Sequence, residues 1–201
     1  MYCDGRGQKM SMKQTLDVIN RMEADRIIDR YAIGGAVAAY NYVEPAVTED
    51  LDILVSFDLL SGQSKSGLVT LGPLLAYLKE RGYSEFRNEG LLIEGWPVQF
   101  LPVANDLDAE ALARANDVEI DVGGDGGWVR SRVLRPEHIV ATALRVGRPK
   151  DRIRIAQFLE EGAVPIRALC DVVARHGLSE TWRAFCRQTA IANPCEVESS
   201  S

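Results

Sequence analysis

Few residues of this chain suit a zinc site or a disulfide scaffold. Its 201 residues include only two histidines, His138 and His176, and four cysteines without a C-x-x-C pair or a Cys/His metal spacing. No secretory signal is visible at the start of the sequence, so we expect all the cysteines to be free thiols in a reducing cytoplasm. The four are Cys3, Cys170, Cys186 and Cys195.

Long apolar runs and an excess of positive charge are also missing. No run reaches the roughly 18 apolar residues that a membrane-spanning helix needs, so no membrane partner is expected. The formal net charge is -6, whereas proteins that bind nucleic acids through bulk charge are usually basic. Nucleic acid is therefore disfavoured as a general partner, although basic residues cluster between positions 130 and 154.

Several common catalytic motifs are absent as well. There is no Ser/His/Asp ordering and no G-x-S-x-G elbow. The loop SGQSKSG at residues 61–67 contains Gly, Lys and Ser but lacks the spacing of a P-loop. The glycine-rich segment GGDGG at residues 123–127 is more typical of a tight turn than of a phosphate cradle.

The hydrophobic pattern predicts an α/β fold of the α+β type. Helices are predicted at residues 14–30, 36–42, 71–83 and 106–115, with strands at 31–33, 51–57, 91–94, 97–103, 118–122 and 128–134. After Pro136 the pattern is helical only. We therefore predict a disordered leader at 1–13, an α/β domain at 14–135, a helical part packed on it at 136–193, and a loose tail at 194–201.

Two aspartates behind a glycine pair form the most informative pattern. Asp50 and Asp52 are two residues apart on a predicted strand, so both carboxylates point to the same face. Such a pair repels itself unless a cation compensates it, and oxygen ligands of this kind suit Mg²⁺. Gly34 and Gly35 allow backbone N–H groups to approach a phosphate closely at the start of a helix. Either pattern alone is common in ordinary turns and strand ends, but together they favour a metal and phosphate site.

With these residues the chain resembles the DNA-polymerase-β-like nucleotidyltransferase superfamily, whose signature is G-G/S followed by D-x-D. It is most similar to AbiEii-type toxins and small stand-alone bacterial nucleotidyltransferases, in which T-x-D-[IL]-D follows the glycines, as at residues 48–52 here. A later G-R-x-K-D motif is matched at 147–151, and G-L-x-x-x-W at 177–182. The resemblance covers about residues 14–185. It implies a nucleotidyltransferase-type mixed sheet flanked by helices and followed by a C-terminal helical bundle.

The resemblance also implies an activity, the transfer of a nucleoside monophosphate from an NTP to an acceptor hydroxyl or phosphate. Asp50 and Asp52 would be the catalytic carboxylates and would hold two Mg²⁺ ions that bridge the triphosphate and the attacking oxygen. The turn at Gly34 and Gly35 would hold the β- and γ-phosphates.

Basic residues of the later motif and the partners are implied in the same way. Arg148 and Lys150 could meet the phosphates or the acceptor as charged donors. The acceptor stays open among RNA (tRNA in the toxin-like case), a protein and a small molecule such as an antibiotic. A toxin-like role would add an antitoxin partner.

The chain departs from the family pattern at two positions. Gln99 stands where a third acid is usual on a neighbouring strand, and Glu94, one strand earlier, is a candidate substitute. Ala143 stands where a lysine is usual, and Arg145 or Arg148 could replace that charge. A neutral glutamine cannot act as a base. The sequence therefore leaves two alternatives: an active nucleotidyltransferase, or a weakened or inactive relative that binds a nucleotide or a protein partner.

Overall fold

The protein is described by a computed structural model covering residues 12–45, 48, 50–57, 71–121 and 127–197. Within these ranges a single mixed sheet has the strand order β3-β4-β5-β2-β1-β7-β6. Its strands are β1 (Arg30–Ile33), β2 (Leu51–Ser56), β3 (Phe86–Arg87), β4 (Gly90–Ile93), β5 (Trp96–Pro102), β6 (Asn116–Asp121) and β7 (Trp128–Val133).

Nine helices accompany the sheet in the same described ranges. They are α1 (Met12–Ala24), α2 (Gly35–Ala39), α3 (Gly72–Glu80), α4 (Asp106–Ala113), α5 (Pro136–Val146), α6 (Pro149–Glu160), α7 (Ile166–Arg175), α8 (Ser179–Thr189) and α9 (Pro194–Val197). The predicted mixed sheet flanked by helices and followed by a helical C-terminal part is confirmed. Among the described residues no helix is both long enough and apolar enough to cross a bilayer.

The centre of the sheet is buried on both faces. Strand β2 runs antiparallel to β1 and parallel to β5. Its residues Leu51, Ile53 and Val55 are fully buried on one face, and Leu54 is buried on the other. Helix α1 follows the predicted apolar stripe, since Leu16 and Ile19 are fully buried as well. A strand covered on both faces reads as a nearly continuous apolar run. Any charged residue within β2 therefore needs a specific reason.

Most predicted elements are present, with boundaries shifted by a few residues. The hairpin expected around GGDGG is confirmed as β6 and β7, which pair antiparallel from Asn116↔Val133 to Asp121↔Trp128. The turn at 122–126, the loop at 61–67 and most of the leader, residues 1–11, lie outside the described residues. Residues 12 and 13 belong to α1, and the two-residue strand β3 was not predicted.

Two elements of the C-terminal segment correct the sequence expectations. Pro194–Val197 forms a helix where a loose tail was predicted. Cys170 and Cys195 form a disulfide, so the expectation of free thiols is wrong for these two, while Cys186 is a buried free thiol and Cys3 lies outside the described residues.

The tertiary packing of the C-terminal helices explains the disulfide. The indole N–H of Trp182 on α8 donates to the side-chain oxygen of Asn193 at 2.9 Å, which draws the segment before α9 toward the helices. This packing brings together two cysteines that are 25 residues apart, at a Cα–Cα distance of 5.5 Å. Their spacing matches no local motif, so the pairing was invisible in the sequence. The thiol-based support for a cytoplasmic location is thereby removed for these two residues.

Candidate active site

A cavity of about 510 Å³ opens beside the start of β2. Its walls come from α2, the start of β2, the turn between β3 and β4, β5, and one side of α6. Four of the predicted site residues line it: Asp50, Asp52, Arg148 and Lys150. The structure therefore brings together residues that are about a hundred positions apart in the sequence.

The two aspartates occupy the floor of the cavity. Asp52 lies within β2 and is half-buried, while Asp50 immediately precedes the strand and accepts a hydrogen bond from the hydroxyl of Thr48 at 3.0 Å. Burial, and then the charge of Asp50, raises the pKa of Asp52 above its ordinary value, against the opposing effect of nearby basic residues. A carboxylate in this state gains from a cation placed beside it.

The glycine pair lies directly against Asp52. The Gly34 N–H donates to the backbone carbonyl of Asp52 at 2.9 Å, so the end of β1 is bonded to the strand that carries the acid. Gly35 opens α2 with a φ of +57°, a conformation that favours glycine. A Cβ at Gly35 would fall 1.9 Å from Oδ2 of Asp52. The glycine is therefore required for the close approach of α2 to the carboxylate.

The basic wall of the cavity begins where α5 ends. Gly147, with a φ of +70°, terminates α5, and Pro149 starts α6, so Arg148 lies in the break between the two helices. Arg148 Nε lies 2.8 Å from Oδ2 of Asp151, a carboxylate that is only 1% exposed. Asp151, and then Asp52 and Asp50, raise the pKa of Arg148.

A third cation joins Arg148 and Lys150. Arg154 lines the same cavity, and its Nη1 lies 3.6 Å from Oδ1 of Asp151. Arg154 was not predicted, although it follows Lys150 by four residues, the spacing that places two side chains on one helix face. Lys150 makes no hydrogen bond or ion pair with any residue that the structure describes. The three cations all act to lower the pKa of Asp52, with Lys150 acting most strongly.

Gln99 stands at the position predicted for a third acid. Strands β2 and β5 pair in parallel with Asp52 directly opposite Gln99, so both side chains point to the cavity face. Across the described part of the chain, no group of three or more His, Cys, Asp or Glu residues could hold a metal ion. The floor of the cavity therefore has two aspartate carboxylates and a neutral amide beside them.

Glu94 lies outside this cavity, at the turn between β4 and β5. It has a φ of +50°, and its carboxylate accepts a hydrogen bond from the hydroxyl of Tyr83. Burial and this hydrogen bond raise the pKa of Tyr83 to about 12. The structure thus assigns Glu94 a contact with Tyr83 and does not bring it to Asp52.

Glu89 reaches the place where the third acid is missing. It lies in the turn between β3 and β4, lines the cavity, and accepts a hydrogen bond from the Gln99 amide nitrogen at 2.9 Å. Sequence reasoning missed Glu89 because its position depends on β3, a strand too short to show a pattern. The segment Asn88-Glu89-Gly90 does carry turn chemistry that could have indicated a hairpin.

Comparison with known proteins gives structural neighbours only. No protein family model matches the chain, and no curated protein matches it significantly. An antigenic nucleotidyltransferase-like protein from Paracoccidioides brasiliensis aligns over 86% of this chain and 93% of its own, at 18% identity and a TM-score of 0.44. ANT(2")-Ia in complex with adenylyl-2"-tobramycin aligns over 88% and 98%, at 18% identity and a TM-score of 0.41. The chemistry of this chain therefore has to follow from its own site residues.

Position 143, where the resemblance predicts a lysine, carries no cation. Ala143 is buried on α5, and Arg145 donates to the side chain of Asn105 at the start of α4. Of the two arginines considered as substitutes, Arg148 is the one that lines the cavity.

The two histidines belong to a separate ion-pair cluster. Both His138 and His176 lie within hydrogen-bond or ion-pair distance of Glu110, at 3.4 Å and 2.7 Å. Burial lowers the pKa of His138, so its neutral form is favoured. Neither histidine lines the cavity, and both connect α4 to the helices that pack against it.

Proposed function

We propose that the protein is a metal-dependent nucleotidyltransferase that transfers a nucleoside monophosphate from an NTP to an acceptor. One observation carries the proposal: the carboxylates of Asp50 and Asp52 share a cavity with three cations that approach from α6. Paired carboxylates beside cations are suited to a substrate that brings both a metal and a polyphosphate.

The donor set fits magnesium. Asp50 and Asp52 offer oxygen ligands only, and Mg²⁺ typically binds through one or two carboxylates and completes its shell with water and substrate phosphates. Burial and the charge of Asp50 raise the pKa of Asp52, so a bound cation would favour its ionised form. Bound magnesium would neutralise charge that develops on the triphosphate during transfer.

The protein's own residues divide the remaining work. Arg148, Lys150 and Arg154 bind and orient the triphosphate, since charged donors form the strongest hydrogen bonds with phosphate oxygens. Gly34 and Gly35 leave room for α2 to lie against the acid. The acceptor oxygen forms a bond to the α-phosphorus, and the bond from that phosphorus to pyrophosphate breaks.

A second candidate function is nucleotide binding without transfer. It is favoured by the register that places Gln99, a neutral side chain, directly opposite Asp52. Losing an acid or base at such a site lowers the rate by orders of magnitude without removing the binding groups. A weakened relative of this kind would act through the nucleotide or through a protein partner.

For the acceptor, three chemical classes are proposed. RNA, a small molecule and a protein each supply a hydroxyl or phosphate, and a toxin-like role with an antitoxin partner and a cytoplasmic location stays a proposal. The net charge of -6 disfavours an extended contact with RNA, so an RNA acceptor would have to bind locally at the basic wall.

The test is label transfer from each α-³²P-labelled NTP with Mg²⁺. Acceptors are total cellular RNA, a low-molecular-mass filtrate of a cell lysate, and the lysate proteins. Asp50→Asn and Asp52→Asn are compared with Asp106→Asn, a matched variant of an exposed aspartate on α4 outside the cavity. We expect transfer by the wild type and by Asp106→Asn, and a loss of at least about 100-fold in the other two.

Two other results would change the conclusion. Metal-dependent NTP binding with no transfer to any acceptor would overturn the enzyme and leave the nucleotide-binding alternative. No metal-dependent NTP binding at all would overturn both.

A further inference from the structure

We propose that Glu89 is the general base of the reaction, the group that removes the proton from the acceptor hydroxyl. This inference rests on the proposed function and supplies the acid that position 99 lacks. It assigns Glu89 to the acceptor, and leaves the metal to Asp50 and Asp52.

The first support is the register between the two central strands. Asp52 and Gln99 are directly opposite each other on parallel strands, which lie about 4.8 Å apart. The Gln99 amide donates to Glu89 Oε2 at 2.9 Å. Glu89 is thus bonded directly to Gln99, the residue beside Asp52.

The second support is the hairpin that presents Glu89. Asn88 has a φ of +53°, which asparagine tolerates well in tight turns. A Cβ at Gly90 would fall 2.9 Å from the backbone carbon of Pro97, so only glycine allows β4 to lie this close to β5. The conformations of these neighbours fix Glu89 in a tight turn, with Arg87 lining the same side of the cavity.

The third support is the distribution of charge around the cavity. Three cations, on α6 and at the residue before it, lie on one side, where they can bind the triphosphate, and Arg87 lines the hairpin side beside Glu89. Among the described carboxylates of the lining, Glu89 is the one on the hairpin side, and Glu44 follows α2 on the other. Glu89 is also exposed, so a group that enters from solvent can reach it. The acceptor is therefore expected on the hairpin side.

The step is a proton transfer coupled to substitution at phosphorus. The acceptor hydroxyl gives its proton to a carboxylate oxygen of Glu89 while its oxygen forms the bond to the α-phosphorus. The bond between that phosphorus and the bridging oxygen breaks, and its electron pair leaves with pyrophosphate. Glu89 then returns the proton to solvent. Gln99 is a positioning residue in this scheme, since it holds Glu89 and does not itself take the proton.

The experiment uses the full chain with Mg²⁺, the labelled NTP, and the acceptor fraction to which the wild type transfers most label. The variants are Glu89→Gln, the double variant Glu89→Gln/Gln99→Asp, and Glu80→Gln as the control, an exposed glutamate at the end of α3. Binding of Mn²⁺, followed by electron paramagnetic resonance, and binding of the NTP are measured on each variant without turnover.

We expect Glu89→Gln to lower kcat by at least about 100-fold, because a general base contributes about 10²–10⁴ in rate. Its affinities for Mn²⁺ and the NTP should stay within about twofold of the wild type, since the metal belongs to Asp50 and Asp52. The double variant returns a carboxylate to the strand beside Asp52, so its kcat should be at least about tenfold higher than that of Glu89→Gln. Glu80→Gln should behave as the wild type.

Each of the other results overturns the inference. Unchanged transfer by Glu89→Gln removes its role, and a change confined to the KM for the acceptor makes it a binding contact. Weakened Mn²⁺ binding makes it a metal ligand, and no recovery in the double variant shows that a carboxylate here is not what the rate requires. Absence of transfer by the wild type overturns the proposed function and this role together, whereas loss of the inference alone leaves Asp50→Asn and Asp52→Asn inactive.

Discussion

Gly35 lies so close to the carboxylate of Asp52 that no side chain fits at position 35. A Cβ there would lie 1.9 Å from Oδ2 and 2.8 Å from Cγ of Asp52. The close contact sets the first turn of α2 against the carboxylate at the floor of the cavity. It gives a physical reason why the glycine pair and the two aspartates occur together in the sequence.

Substitution of Gly35 by alanine should disrupt both the fold and the proposed metal site. The positive φ disfavours alanine by about 1–2 kcal/mol, and the overlap must displace Asp52. We expect a lower free energy of unfolding. The affinity for Mn²⁺ should be at least tenfold weaker, which corresponds to about 1.4 kcal/mol of binding free energy. Gly34→Ala is the matched comparison, because its Cβ would meet Leu134 at an ordinary 3.5 Å. Equal effects of the two substitutions on Mn²⁺ binding would contradict this account.

Neutralising Asp52 should stabilise the metal-free protein. Burial and the charge of Asp50 raise the pKa of Asp52. A raised carboxyl pKa contributes stability that is present below the unfolded value and is lost as pH rises through the folded value. At pH 7 the ionised side chain is therefore a destabilising element. Asp52→Asn should raise the midpoint of thermal unfolding by about 2–4 °C in EDTA, as about 1 kcal/mol does in a chain of this size.

Bound metal should make the wild type more stable than Asp52→Asn, the reverse of the order expected in EDTA. Mn²⁺ stabilises whichever form binds it, so the wild type should gain in thermal midpoint and Asp52→Asn should not. The measurement is thermal unfolding of both proteins in EDTA and in Mn²⁺. A variant less stable than the wild type in EDTA would contradict the destabilising role of the ionised Asp52 side chain.

Removal of the Asp151 charge should loosen the basic wall. Asp151 is buried and holds the side chains of Arg148 and Arg154. Asp151→Asn should lower the free energy of unfolding by about 1–3 kcal/mol, because it disturbs buried hydrogen bonds to charged groups. The affinity for the Mg²⁺-NTP complex should fall by about tenfold, or about 1.4 kcal/mol. Denaturant unfolding measures the first quantity and calorimetric titration the second, each beside Glu160→Gln, an exposed position of the same helix. Unchanged nucleotide affinity would separate Asp151 from the site.

Glu110 should make stability depend on pH in the acid range. The pKa of its carboxyl is held well below the ordinary 4.5, first by Arg175 and further by His176 and His138, against the opposing effect of burial. A depressed carboxyl pKa contributes stability that is present above the unfolded value and lost as pH falls toward the folded value. Wild-type stability should therefore decline from about pH 4.5 downward.

The corresponding variant is Glu110→Gln. It should lose about 1.5–3 kcal/mol at pH 7, the range for hydrogen bonds to charged groups, and show a shallower decline in acid. Denaturant unfolding at a series of pH values measures both quantities. Glu119→Gln, which removes an exposed pair with Arg130, should change stability little. A parallel pH dependence in the wild type and Glu110→Gln would rule out Glu110 as the cause of the decline in stability in acid.

The disulfide between Cys170 and Cys195 should stabilise the C-terminal helices. A bridge across a loop of this length contributes about 3 kcal/mol in the chain-entropy description. A reductant should lower the thermal midpoint of the wild type and leave Cys170→Ser unchanged. Thiol titration of the denatured protein without reductant gives an independent check, since reaction of all four cysteines would exclude the bridge.

Local patterns predicted four residues that line the cavity, but only in part their neighbours. The two-residue spacing predicted that Asp50 and Asp52 share a face, and both line the cavity, although β2 begins only at Leu51. The glycines marked the turn before α2. The position of Gln99 was also correct, because its strand had a clear apolar pattern. Glu89 could not be found in this way, since β3 has two residues and no periodicity.

Residue periodicity, turn chemistry and charge are properties of neighbouring residues. The sequence by itself determined what depends on them: the strand β2 with Asp52, the glycine turn, and the helical C-terminal part. Tertiary structure alone decided which distant residues meet. The register of β2 and β5 set Gln99 beside Asp52, the β3–β4 turn brought Glu89 to Gln99, and helix packing joined Cys170 to Cys195. These contacts depend on how whole elements pack, and no short stretch of sequence encodes that.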